Sequence, residues 1–213
     1  MTKIILSLQT KESLDIIPYL GKYIDGVKIN HLLWNELDFD VEEGKELFVD
    51  FKLWDTPNTV KTVVERIIKK GGTMTTISTF NNEKVFDELE QYKDDIKLLA
   101  VTYLTSWNRD EQYQICREMP DFMWRRHLSR VKGFYGVVCS AQDIGMLSGA
   151  DKSLKRVCPG ITYGNNNSGQ VRTTTPKEAQ DLGADYIVMG RAITESENPL
   201  ETLKQIRNSP ITQ

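Results

Sequence analysis

Short runs of large apolar residues, many of them β-branched, recur along the chain, separated by stretches in which apolar and charged positions follow a helical spacing. The runs are KIILSL from Lys3, DGVKIN from Asp25, LFVDF from Leu47, TTIST from Thr75, KLLAVTYL from Lys97, GFYGVVCS from Gly133, LKRVCPG from Leu154 and DYIVMG from Asp185. Each has the length and composition of a buried strand. Between them, TVKTVVERIIKK from Thr59, NEKVFDELEQY from Asn82 and TPKEAQDLG from Thr175 read as helices. Thr175 before Pro176 predicts an N-cap with proline at the first helical position, and Gly183 predicts the stop. Strand and helix in alternation imply parallel strands with right-handed crossovers. Eight such units predict an α/β fold, a single (β/α)8 TIM barrel over residues 1–213. An open doubly wound sheet is the alternative, but no G-x-G-x-x-G follows the first strand and there is no P-loop.

Composition narrows the partners. The 213 residues are 39% hydrophobic, enough for a substantial core, and the net charge of -3 offers no basic field for nucleic acid. A small-molecule partner is expected. The N-terminal apolar run is shorter than that of a signal peptide, and no segment reaches the roughly 18 apolar residues of a membrane span. The expectation is a cytoplasmic protein with no membrane partner. Cys116, Cys139 and Cys158 have no C-x-x-C spacing, and the last two fall in apolar runs, as reduced core thiols do. His31 and His127 lack ligand spacing, so no metal site is expected. WRRHLSR from Trp124 reads as a solvated helix face with Trp124 packed inward, in preference to a nucleic-acid patch.

One strand breaks the apolar pattern. In LFVDFKLWDTPNTV, Leu47 to Val60, alternation puts Asp50 and Lys52 on one face and Phe51 and Leu53 on the other. In a barrel the charged pair would point inward. Asp55 follows just past the strand, where Pro57 and Asn58 signal a turn into a helix, so the charges fall at the C-terminal mouth that carries barrel active sites. Lys28 in GVKIN, on the preceding strand, would bring opposite charges together if it also faces inward. Unit charges at 4 Å interact by about 4 kcal/mol at an effective dielectric of 20, enough to keep all members ionised. An ordinary ion-pair network at the rim would leave the same pattern. GITYGNNNSGQVR, Gly160 to Arg172, is long, polar and glycine-bearing, and reads as a mobile lid in which Asn165, Asn166 and Asn167 keep the loop polar.

These residues carry a resemblance. DFKLWDTPNTV resembles the D-x-K-x-x-D-I-P-N-T signature of the orotidine 5'-monophosphate decarboxylase family. LLAVTYLTS from Leu98, GVVCSAQDI from Gly136, VCPGI from Val157, GQVRTTTPKEAQDLGADYIVMGRAIT from Gly169 and NPLETL from Asn198 are similar to further family segments in the same order. The resemblance implies conversion of orotidine 5'-monophosphate to UMP in pyrimidine biosynthesis, without metal or cofactor. It makes Lys28, Asp50, Lys52 and Asp55 the catalytic array, with Lys52 delivering a proton to C6. It also implies a homodimer in which Asp55 and Thr59 cross the interface. Ser106 matches a contact to the pyrimidine and the closed lid, Gln170 a bridge between base and phosphate, Pro159 and Gly160 the base of the lid, and Gly190 and Arg191 the phosphate site. Tyr163 is a further candidate donor to phosphate, while Arg172 fits either phosphate contact or a helix-cap or surface role.

The chain also departs from the family pattern. Gln9 stands where aspartate is usual and would meet a ribose hydroxyl, and Thr56 replaces an isoleucine. Trp54 is bulky beside the motif, and TTISTF carries Ser78 in place of a histidine. Two alternatives therefore stand beside the decarboxylase: a nucleotide-binding homologue with lost or altered catalysis, and a sugar-phosphate decarboxylase or synthase of the same superfamily, which commonly uses Mg²⁺.

Overall fold

The computed structural model describes residues 2–36, 41–117, 120–131, 133–149, 153–164 and 172–208. All eight apolar runs become strands: β1 (Lys3–Ser7), β2 (Gly26–Ile29), β3 (Glu46–Leu53), β4 (Met74–Ser78), β5 (Lys97–Val101), β6 (Gly136–Val138), β7 (Lys155–Cys158) and β8 (Tyr186–Met189). They form a closed barrel in sequence order, with β8 parallel to β1 and every other neighbouring pair parallel as well. The expected TIM barrel is therefore the fold, and the doubly wound alternative is excluded.

The helices encountered along the chain are α1 (Ile17–Leu20), α2 (Pro57–Lys69), α3 (Glu83–Leu89), α4 (Arg109–Cys116), α5 (Pro120–Leu128), α6 (Pro176–Asp181), α7 (Arg191–Thr194) and α8 (Pro199–Asn208). Proline opens α2 in the first turn, where its missing N–H costs nothing, and Val60, Val64 and Ile67 line the buried face. Asn82 caps α3 by accepting from the Val85 N–H. At α6, Thr175 and Glu178 form a reciprocal capping box, and Gly183 at φ 95° follows as the predicted stop. On α5, Met123, Trp124, His127 and Leu128 are buried while Arg125 and Arg126 are exposed, so the basic run is a solvated helix face.

Two apolar layers hold the barrel. Ile5, Phe48, Met74, Leu99, Val157, Tyr186 and Val188 fill its interior, and a larger cluster seals the strands against the helices. Below the interior layer, buried Glu46 receives the Lys97 ammonium and the Thr73 hydroxyl (2.8 Å), with Lys3 at 3.8 Å. Above that layer the barrel opens into polar space. Cys139 and Cys158 are buried free thiols with Sγ atoms 3.9 Å apart; the Cys158 contact and burial push the Cys139 thiol well above its ordinary range, as suits an inert core position. His127 Nδ1 lies 3.2 Å from the Thr79 carbonyl and its ring against Phe80, whereas His31 is exposed. Among the described residues no group of His, Cys, Asp and Glu could hold a metal ion, and no helix is long and apolar enough to cross a membrane.

Candidate active site

The inward positions nearest the C-terminal ends of β2 and β3 carry the charges. Asp50 sits between two ammonium groups: Lys28 Nζ donates to its Oδ2 at 3.0 Å and Lys52 Nζ to its Oδ1 at 2.8 Å. The Asp50 and Lys28 side chains are only 12% and 16% exposed, while Lys52 is 43% exposed. Burial alone would raise the Asp50 carboxyl, but the two ammonium charges and their hydrogen bonds outweigh it and hold the group at about 2. Asp50 is thus a fixed anion that aims Lys52 into open space.

The route to this geometry differs from plain alternation. Val49 pairs with Thr75 and Leu53 with Ile77, so β3 takes four residues to advance where β4 takes two. Within this bulge Lys52 adopts φ 51°, a left-handed conformation that a long side chain seldom occupies. The expected sidedness survives. Asp50 and Lys52 meet each other, and Phe51 turns outward to make an edge contact with Trp34 at 5.3 Å between ring centroids.

Above the charged group lies a cavity of about 240 Å³, lined on the polar side by Lys28, Asp50, Lys52, Thr105 and Ser106, and on the apolar side by Phe48, Val101, Val138, Val157 and Val188. A second hollow of about 100 Å³ is lined by Ser7, Gln9, Lys28, Pro159, Gly160, Gly190 and Arg191. The two share Lys28, Pro159 and Val188 and form one elongated site. Gly190 packs against the end of β1, where a Cβ would come 3.4 Å from the Ser7 carbonyl oxygen, so backbone lines the hollow beside Arg191. One end presents a carboxylate and two ammoniums beside an apolar wall, and the other presents a guanidinium and backbone. A ligand with a partly apolar, hydrogen-bonding group at one end and an anionic group at the other matches both ends.

The structure therefore brings together Lys28, Asp50, Lys52, Ser106 and Pro159 in one hollow and Gln9, Gly160, Gly190 and Arg191 in the adjoining one. Asp55 and Thr59 stay outside. Asp55 is exposed, its carboxylate accepting from the Thr56 N–H at 2.6 Å, and Thr59 Oγ1 lies 2.9 Å from Thr56 Oγ1. Neighbouring Trp54 is 72% exposed. Gln170 and Asn165 to Asn167 lie outside the described residues. Ser78 accepts from the Phe80 N–H at 3.3 Å in the turn after β4.

Two residues near the loop have partners within the protein. Arg172 is not a surface residue: its two terminal nitrogens each donate to Asp143 at 2.7 Å in a bidentate pair, with the two side chains 11% and 2% exposed. Burial of Asp143 demands a rigid cation, and Arg172 supplies it. Tyr163 donates to Gln205 Oε1 at 3.3 Å. Sequence reasoning missed the role of Asp143 because its partner lies 29 residues away, and the family-like segments that hold the two residues do not show that they pair. It also missed the apolar wall of the cavity, since Val101, Val138, Val157 and Val188 resemble every other strand valine.

Residues 2–206 match the model of the family described as Orotidine 5'-phosphate decarboxylase / HUMPS family. The chain belongs to this family. It is 32% identical over 209 residues to the orotidine 5'-phosphate decarboxylase of Dictyoglomus thermophilum, covering 91% of this chain and 86% of that protein. It is 39% identical over 172 residues to that of Wolbachia pipientis subsp. Culex pipiens, covering 76% and 75%. The crystal structure of orotidine 5'-phosphate decarboxylase from Lactobacillus acidophilus superposes with a TM-score of 0.74 at 27% identity, covering 97% of this chain and 98% of that one. Membership in a decarboxylase family gives a chemical context to a carboxylate flanked by two lysines at the barrel mouth.

Proposed function

We propose that this chain decarboxylates orotidine 5'-monophosphate to UMP, with the pyrimidine over Lys52 and Asp50 and the phosphate beside Gly190 and Arg191. The observation that carries the reading is the Asp50 carboxylate, clamped between Lys28 and Lys52 on the wall of a cavity that runs on to Arg191. Breaking the C6–carboxylate bond leaves its electron pair on C6 and releases CO2. An ammonium next to C6 stabilises that developing charge, and Lys52, the more exposed of the two lysines, then gives C6 a proton. Its neutral amine recovers a proton from solvent. Lys28, largely buried, neutralises Asp50 and fixes its orientation. Gripping the phosphate at the far end supplies binding energy that holds the ring in this geometry. In this reading the ammonium performs the charge stabilisation, so the reaction proceeds without a metal or organic cofactor.

The reading extends to a homodimer. Asp55 and Thr59, exposed beside Trp54, would reach the site of a second copy and complete its array from the other side. Gln9, on the rim of the phosphate-side hollow, would meet a ribose hydroxyl, and Ser106 the pyrimidine. The protein would act in pyrimidine synthesis in the cytoplasm.

Loss of orotidine monophosphate absorbance, followed in EDTA with wild type and Lys52→Ala, tests the proposal. Wild type should turn over with EDTA present, and Lys52→Ala should lose about 10³-fold or more in kcat while retaining UMP binding. Turnover of Lys52→Ala within tenfold of wild type would remove Lys52 from the proton-donor role. UMP binding by a wild-type protein without turnover would instead mark a homologue that has given up catalysis. Turnover of a sugar phosphate, lost in EDTA, would move the chain to the other branch of its family.

A further inference from the structure

The left-handed backbone of Lys52 needs a cause, because a lysine gains nothing intrinsically from that conformation. Between Val49 and Leu53 the regular ladder to β4 is interrupted. The Lys52 N–H instead donates to the Thr76 hydroxyl at 2.8 Å, and that hydroxyl donates onward to Asp50 Oδ1 at 2.9 Å. The same Oδ1 accepts the Lys52 ammonium at 2.8 Å. One hydroxyl on the neighbouring strand therefore joins both ends of Lys52, its backbone N–H directly and its ammonium through a shared carboxylate oxygen. Thr76 is fully buried, so it does not line the cavity and acts only through the residues it holds.

We propose that Thr76 is a positioning residue for the reaction, locking the β3 bulge so that Lys52 and Asp50 keep a single reactive arrangement. The inference rests on the decarboxylase reading for its kinetic consequence, but not for its structural one. A valine at this position has nearly the same shape yet can neither accept from the Lys52 N–H nor donate to Asp50, whereas serine can do both. Without the hydroxyl, the Lys52 N–H and a carboxylate oxygen each lose a partner, and the strained φ of Lys52 loses the contact that fixes it.

The test compares wild type, Thr76→Val and Thr76→Ser in two measurements. In steady-state turnover, Thr76→Val should lose roughly tenfold to a hundredfold in kcat with KM changed by less than about threefold, as for a misplaced reacting group, and Thr76→Ser should stay within about threefold of wild type. In amide hydrogen exchange, the Lys52 N–H should be protected in wild type and Thr76→Ser, and should exchange at least about tenfold faster in Thr76→Val. A Thr76→Val enzyme with wild-type kcat would overturn the proposal, as would a Thr76→Ser enzyme as slow as the valine variant. An unprotected Lys52 amide in wild type would overturn it even if Thr76→Val failed to fold. If wild type shows no turnover of orotidine monophosphate, the decarboxylase reading fails by itself, and amide exchange still decides whether Thr76 holds the bulge.

Discussion

Removing the Asp143 carboxylate would strand a guanidinium that is already short of partners. Arg172 gives both terminal nitrogens to Asp143 at 2.7 Å, and its Nε is buried with no hydrogen-bond partner. The pair is deep, with the Asp143 side chain 2% exposed, so water does not replace what is lost. Trp124 Nε1 donates to the Tyr103 hydroxyl at 2.6 Å, and that hydroxyl faces Asp143 Oδ2 at 3.5 Å, extending the network to the cavity wall that Tyr103 helps to form. Breaking one partner of such a buried pair costs about 3–5 kcal/mol, and for a chain of this size each kcal/mol corresponds to roughly 2–4 °C in Tm. Asp143→Ala is therefore expected to unfold roughly 10 °C below wild type.

The assay is thermal unfolding by circular dichroism at pH 7 without ligand, applied to Asp143→Ala, Arg172→Met and a double variant, Asp143→Leu with Arg172→Met. Because desolvation of both ions is relieved when an apolar pair replaces them, the double variant should be more stable than either single one. Single variants that lose less than about 3 °C would show that the pair is solvated and cheap. A double variant that falls by the sum of the two singles would refute the pairing itself.

Two further outcomes follow from the site. Since the Asp50 carboxyl is held at about 2, below its unfolded value, its contribution to stability is fully present above about pH 4 and lost as the pH falls through 2. Acid titration of urea stability should show Asp50→Asn with a flatter profile than wild type across that window, the difference reaching about 2 kcal/mol; parallel profiles would refute the ion-pair account. Gln9→Ala should raise KM for orotidine monophosphate by roughly fivefold with kcat retained, the value of one neutral hydrogen bond, and a fall in kcat alone would place Gln9 nearer the chemistry than the rim of the second hollow.

The barrel was legible because its evidence is local. Each strand is an apolar run of the right length, and features such as Asn82 before α3 or Thr175 and Pro176 before α6 act over three or four residues. The charged end of the site was legible for the same reason, since Asp50 and Lys52 interrupt an otherwise apolar strand. What escaped reading depends on contacts across the barrel. Read from sequence, Arg172 stays open between a phosphate contact and a helix-cap or surface role, because a buried carboxylate 29 residues earlier leaves no mark near it. The apolar wall of the cavity was invisible because parallel strands bury both faces, so an inward valine such as Val188 carries the same letter as an outward one such as Val49. The φ of Lys52 was hidden as well, for the alternating pattern gives the right sidedness whether or not the strand bulges.

Strand β3 also shows why a buried charge alone does not identify a site. Glu46 and Asp50 stand four residues apart on the same inward face, and each carboxylate meets two lysines. At Glu46 the lysines and the Thr73 hydroxyl close the N-terminal end of the barrel beneath the apolar layer, and the charges neutralise one another there. Asp50 lies above that layer, and one of its lysines, Lys52, remains 43% exposed toward the cavity. The chemistry of the two clusters is nearly the same. Their difference lies in Phe48, which sits between them on the strand and separates a plug from a mouth. An ammonium can act on a ligand only on the open side of that ring, and there the bulge at Lys52 turns it toward the space a substrate would fill.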